Sequence, residues 1–163
     1  MHKPYIECVY LDMDGVIADF SKRYKELYKM LPQEADKKGK FYNFFQNFIE
    51  TKQFETLDLM PDARLGLDFI FNNNIHTQIL SSTANKENYD AISKQKMIWL
   101  AHQGLPFYPL FVPGKQHKVR YSSQITLIID DTKSVIDDWN NAGGVGILHK
   151  NWSTTIKTLK KYF

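Results

Sequence analysis

Apolar residues along this chain gather into five short runs. They are "YIECVYLD" (5 to 12), "HTQILS" (76 to 81), "PLFVP" (109 to 113), "ITLIID" (125 to 130) and "VGILH" (145 to 149). Each is rich in β-formers and nearly continuous in its hydrophobicity, as expected of a strand buried on both faces of a parallel sheet. Between the runs the apolar period changes to that of a helix. Ala63, Leu67 and Ile70 share one face, as do Tyr89, Ile92, Lys96 and Trp99, with Gly104 as a stop. Val135 and Trp139 mark another helix, and Ile156, Leu159 and Phe163 the last. This alternation predicts a doubly wound, parallel, five-stranded α/β sheet with right-handed crossovers.

One stretch breaks the alternation. From Ser21 to Met60 no strand is evident. Tyr24, Leu27, Tyr28 and Leu31 suggest one helix, "PQEADKKGK" reads as a polar linker, and Phe41, Phe44, Phe45, Phe48 and Ile49 trace a second, aromatic helical face. Residues 1–20 and 61–163 are therefore expected to form the α/β core, and residues 21–60 a small helical cap. The aromatic face has two uses open to it: the cap's own core, or a stacking wall for a planar ligand.

Composition narrows the picture only a little. The 163 residues suit one domain, and 43% hydrophobic with 24% charged residues excludes disorder. A net charge of +3 suits an anionic small molecule and gives little support to a nucleic-acid surface, where a concentrated basic stripe is expected. The single cysteine, Cys8, lies in an apolar run and reads as a small core residue, so no intrachain disulfide is expected. Neither a signal-peptide pattern nor a membrane-spanning run is found, which makes a cytoplasmic setting without membrane partners the expectation.

The chemistry lies at the ends of the runs. In open α/β sheets the functional crevice lies beyond the carboxyl ends of the strands. Asp12 and Asp14 follow the first run, Ser81 and Ser82 the second, and Asp130 and Asp131 the fourth, with Lys118 leading into it. Each has an ordinary reading: an Asp-Gly turn, helix caps, a solvated lysine. Converging on one edge, the carboxylates instead form a hard-oxygen site suited to Mg²⁺, with hydroxyls and a lysine left for phosphate oxygens. Lys115 competes with Lys118 for the lysine position. His117 and His149 read as surface loop residues that nothing pairs into a metal site.

"LDMDGV", "ILSS", "GKQHKVRY" and "LIIDD" resemble, in order, the four motifs of the haloacid dehalogenase (HAD) superfamily. More narrowly, "DMDGVIADF", "LDLMPDA" and "KMIWL" resemble the 5'(3')-deoxyribonucleotidase family and its phage and bacterial relatives. The resemblance implies a phosphatase in which Asp12 is the nucleophile and Asp14 the acid and base. An acid at Asp14's position distinguishes HAD phosphatases from the dehalogenases. It further implies Mg²⁺ held by Asp12, the backbone carbonyl of Asp14 and Asp130, with Asp131 in support. Ser81, Ser82, Lys96 and Lys118 would bind phosphate, and Phe20 would flank the sugar or base. The implied substrate is a deoxyribonucleoside monophosphate. Alternatives are another small phosphate ester, a nucleic-acid 3'-phosphate end, or a non-enzymatic receiver-like phospho-acceptor module. The receiver order of acids differs from the order here. The oligomeric state, a homodimer included, stays open.

Overall fold

The computed structural model describes residues 2–163. Five parallel strands form one sheet: β1 (Cys8–Leu11), β2 (Thr77–Ser82), β3 (Tyr108–Val112), β4 (Thr126–Asp130) and β5 (Val145–Leu148), in the spatial order β3-β2-β1-β4-β5. Each apolar run thus supplies one strand. The first is shorter than its run, because Tyr5 is exposed and ladder pairing begins at Cys8.

Side chains alternate across the sheet with period two, so the strands feed two cores. Val9, Leu11, Ile79, Leu127, Ile129 and Ile147 face one side. There they meet α4 (Ala63–Asn72), α5 (Tyr89–His102) and α7 (Trp152–Leu159). Leu80, Ile128 and Val112 face the other side, against Val135, Ile136 and Trp139 of α6 (Lys133–Asn141). Burial on both faces explains why the runs lack polar alternation.

The order places β1 beside β4, where the chain switches from winding toward β3 to winding toward β5. Leu11 pairs with Ile129, and the amide of Asp12 donates to the Ile129 carbonyl at 3.0 Å, so the ladder continues past the end of β1. The carboxylates of Asp12 and Asp130 are therefore delivered side by side at the topological switch point.

Between β1 and α4 lie α1 (Phe20–Tyr28), α2 (Pro32–Lys37), α3 (Phe41–Glu50) and a 3₁₀ turn, Gln53–Thr56. The expected polar linker is in fact helical. Pro32 opens α2, Ala35 is fully buried, and Glu34 accepts from the amide of Leu31 at 2.8 Å. Proline at the first helical position and a glutamate returning to the preceding amide are N-terminal helix signals that the run of charges obscured. The expected first helical face also ends early: Leu27 and Leu31 are exposed and α1 stops at Tyr28. At the far end, α7 stops at Leu159, so Phe163 lies beyond it.

This inserted segment shares the core of the sheet. Phe45, Phe48 and Phe54 pack in the same apolar cluster as Leu11 and Ile79. Gln95 of α5 reaches across, donating to the Ile49 carbonyl at 2.8 Å and accepting from the Phe54 amide. Trp99, one helical turn on, donates to the Leu57 carbonyl at 2.7 Å. No described helix is long and apolar enough to cross a membrane.

Candidate active site

Two buried lysines organise the acids. Lys118 Nζ lies 2.9 Å from Asp12 Oδ1 and 2.7 Å from Asp130 Oδ2, with all three side chains buried. Its segment is a 3₁₀ helix, Lys115–Tyr121, rather than a plain lead into β4. Asp130 Oδ1 accepts from the Thr132 amide at 2.9 Å, so this carboxylate both caps the turn into α6 and faces the lysine. Lys96, on the buried face of α5, donates to Asp14 Oδ2 at 2.9 Å, Ser81 Oγ at 2.7 Å and the Ser82 carbonyl at 3.0 Å. An ammonium has three N–H donors, and those of Lys96 all have protein acceptors.

The electrostatics follow from this packing. Burial pushes the Asp12 carboxyl well above the usual range; Asp130 adds to the shift and Lys118 opposes it. Asp131 is pushed up to about 6 by burial and by the neighbouring Asp130 and Asp14 charges. Burial alone would favour the neutral form of Lys118, but Asp12 and Asp130 outweigh it and raise its affinity for a proton. Asp12, Asp130 and Asp131 each bring an oxygen within 4.8 Å of the others. Asp14 Oδ1 is buried without a hydrogen-bond partner. Fully ionised, the four carboxylates would face two ammonium groups and lack two positive charges. Burial and this shortfall make Asp12 and Asp131 hold their protons more tightly here, and the same place holds an orphaned oxygen. A divalent, oxygen-seeking cation fits that donor set.

The turn after β1 makes the cluster possible. Gly15 has φ +79°, and a Cβ there would collide with the Asp131 carboxylate. The turn is tied by the Gly15 amide donating to Ala18 O at 2.9 Å and by an isolated pairing of Ala18 with Leu59.

The acids open into a cavity of about 590 Å³. Asp12, Asp14, Lys96, Lys118 and Asp131 form its charged side, and Phe20, Phe41, Phe45 and Phe54 its apolar wall, with the Lys96 ammonium 5.2 Å from the centre of the Phe54 ring. Phe20 stacks on Phe54 with ring centres 5.6 Å apart and planes 5° apart. Of the cap aromatics singled out from the sequence, Phe41 and Phe45 reach the cavity; Phe48 is fully buried and Phe44 stacks on Tyr28 instead.

The two serines separate. Ser82 lines the cavity, its hydroxyl accepting from the Ala84 amide at 3.0 Å. Ser81 is fully buried behind the Lys96 ammonium, as alternation along β2 dictates. Lys115 is exposed and also lines the cavity. His149, expected at the surface, is buried: Nδ1 lies 2.8 Å from Thr155 Oγ1 and the ring packs on Trp152. Phe54, Gln95 and Thr132 were not anticipated. Gln95 could have been noticed as the neighbour of Lys96 on α5, but nothing in its chemistry marks it for burial.

Against solved structures the similarity is of fold. A hydrolase from Streptococcus pneumoniae TIGR4 matches with a TM-score of 0.58 at 15% identity, over 98% of this chain and 100% of that one. A Had-superfamily hydrolase from Ehrlichia chaffeensis matches at 0.54 and 15%, over 99% and 98%. The fold is that of HAD hydrolases. A phosphonoacetaldehyde-hydrolase-like protein from Oleispira antarctica also shares it, at 0.55 and 14%, over 99% of this chain and 84% of that one. No protein-family model matches the chain. No curated protein matches it in sequence.

Proposed function

We propose that this HAD-fold chain is a Mg²⁺-dependent phosphomonoesterase working through an aspartyl-phosphate on Asp12, with deoxyribonucleoside monophosphates as its favoured substrates. The observation that carries the reading is Lys118 bridging Asp12 and Asp130 at the switch point, with Asp14 beside them at the same cavity end. Lys118 fixes one oxygen of Asp12, leaving the other to attack phosphorus. A bond from Asp12 to phosphorus forms as the bond to the leaving alcohol breaks, and Asp14, which enters this step protonated on its unpartnered Oδ1, gives the alcohol that proton. Asp14 then takes a proton from water as the water oxygen attacks phosphorus and frees Asp12.

Asp12, Asp130, Asp131 and the Asp14 carbonyl would hold Mg²⁺. When bound, it supplies positive charge that lets a phosphate dianion approach these acids. Lys118 keeps one donor beyond its two carboxylate bonds for a phosphoryl oxygen, and the Ser82 hydroxyl faces the same space. Lys96 reaches phosphate by exchanging one of its three acceptors, and Ser81 acts through Lys96. Residues 21–60 form the cap, and the stacked rings of Phe20 and Phe54, with Phe41 and Phe45, suit a planar base.

The test is a panel of deoxynucleotides, sugar phosphates and 3'-phosphorylated oligonucleotides assayed with Mg²⁺ and with EDTA. Deoxynucleotides should turn over fastest, and EDTA should abolish activity. Full turnover without metal would overturn the site; a sugar phosphate or oligonucleotide as best substrate would overturn the substrate assignment alone.

A further inference from the structure

Three cations line the cavity, and two are committed. Lys96 pairs with Asp14, and Lys118 with Asp12 and Asp130. Lys115 has no carboxylate partner among the described residues. Its placement is not that of a loose surface lysine. It opens the 3₁₀ helix that carries Lys118 one turn later. With three residues per turn and a rise of ~2.0 Å, positions i and i+3 eclipse, so the two lysines share a face about 6 Å apart along the axis. Lys118 is buried at the acids and Lys115 is exposed, so Lys115 lies one turn outward from the reacting end. The approach to this turn is constrained too. Gly114 has φ +144°, and the Gln116 side chain folds back where a Cβ would stand.

From this geometry we infer that Lys115 selects phosphomonoesters carrying a second anionic group, such as a second phosphate, outside the phosphate that is cleaved. The inference rests on the phosphatase reading and deepens it. With the inner acids balanced by two lysines and a divalent cation, Lys115 is the uncommitted positive charge of the wall. Its one-turn offset sets it at the substituent beyond the scissile phosphate. The cavity, within the usual range for sites that enclose small ligands, leaves room for that group.

The experiment compares a deoxynucleoside 3',5'-bisphosphate with the matching 5'-monophosphate, by steady-state kinetics of wild type, Lys115→Gln and Lys115→Arg. The same ligands are titrated calorimetrically, in Mg²⁺, into Asp12→Asn protein with and without Lys115→Gln. Wild type should favour the bisphosphate in kcat/KM by about tenfold, the scale of one charge-assisted contact. The ratio should fall toward one in Lys115→Gln and persist in Lys115→Arg. Turnover of both ligands without preference, or a preference that survives Lys115→Gln, overturns the inference and leaves the phosphatase reading standing. No turnover, but tighter bisphosphate binding that needs Lys115, overturns the phosphatase reading and keeps the selectivity. No turnover and equal binding overturns both.

Discussion

At the inner end of the cavity, side chains are placed by strand ends. Asp12 follows β1, Asp130 closes β4, and backbone ladders hold both. Along the apolar wall, Phe20, Phe41, Phe45 and Phe54 come from α1, α3 and a 3₁₀ turn, held by ring packing and by Gln95 and Trp99 of α5. The first is charged and tied to backbone ladders; the second is apolar and tolerant of exchange, since rings of similar volume pack in many ways. On the proposed function, reaction chemistry belongs on the first and base recognition on the second.

The harshest break of that contrast is at the inner end. Asp12→Asn should lower kcat/KM by at least ~10³-fold, about 4 kcal/mol of barrier, with an unchanged circular dichroism spectrum. Activity within tenfold of wild type would remove Asp12 as nucleophile.

Next come the lysines. Lys118→Ala should lower kcat by roughly 10²-fold, as for a lost charge-stabilising donor. Lys96→Ala should show mainly in KM, because Lys96 shares its donors among Asp14, Ser81 and Ser82. Steady-state kinetics of both variants checks this, and an equal kcat loss would place Lys96 among the groups that act on phosphorus.

A smaller effect belongs to the apolar wall. Phe41→Leu should raise KM for a deoxynucleotide several-fold, on the scale of about 1 kcal/mol for a lost aromatic contact, and leave KM for glycerol phosphate nearly unchanged. Equal effects on both substrates would deny the aromatic wall any role in base recognition.

The smallest concerns stability rather than turnover. Burial lowers the proton affinity of His149, with Asp62 opposing weakly. The folded protein therefore favours neutral His149. Its contribution is fully present above the ordinary value of 6.5 and is lost as pH falls through the lowered one. Asp12 and Asp131, whose carboxyls are raised, act with the opposite sign in metal-free protein: they favour folding as pH falls. Thermal melts of wild type and His149→Gln at pH 7.5 and 5.5 isolate the histidine. The wild type should lose more of its Tm on acidification, and parallel losses would count against the assignment.

The same contrast explains what the sequence disclosed. The strands were legible because burial on both faces leaves unbroken apolar runs, and the gathering of Asp12, Asp14, Asp130 and Asp131 at one edge was legible because they stand at the ends of those runs. Spacing from Ile92 and Trp99 put Lys96 on the inward face of its helix, whereas its phosphate role came only from the resemblance of "KMIWL". Helix α2 was missed because its charges outnumber its one buried residue, Ala35. His149 was misplaced because it ends an apolar run with no periodic signal of its own. The division between Ser81 and Ser82 depends on which face each presents, and that needs the register of β2. Phe54 and Gln95 meet across 41 residues of chain, a pairing that no local pattern encodes.

Gly15 has a consequence for anyone who would move this chemistry elsewhere. Grafting the four acids and two lysines onto another parallel sheet would reproduce every charged side chain, yet the Asp131 carboxylate would have no room unless the recipient turn also lacked a side chain at that point. A transplant with alanine there should fold and still fail to gather the acids as they stand here, because the missing component is a volume left empty.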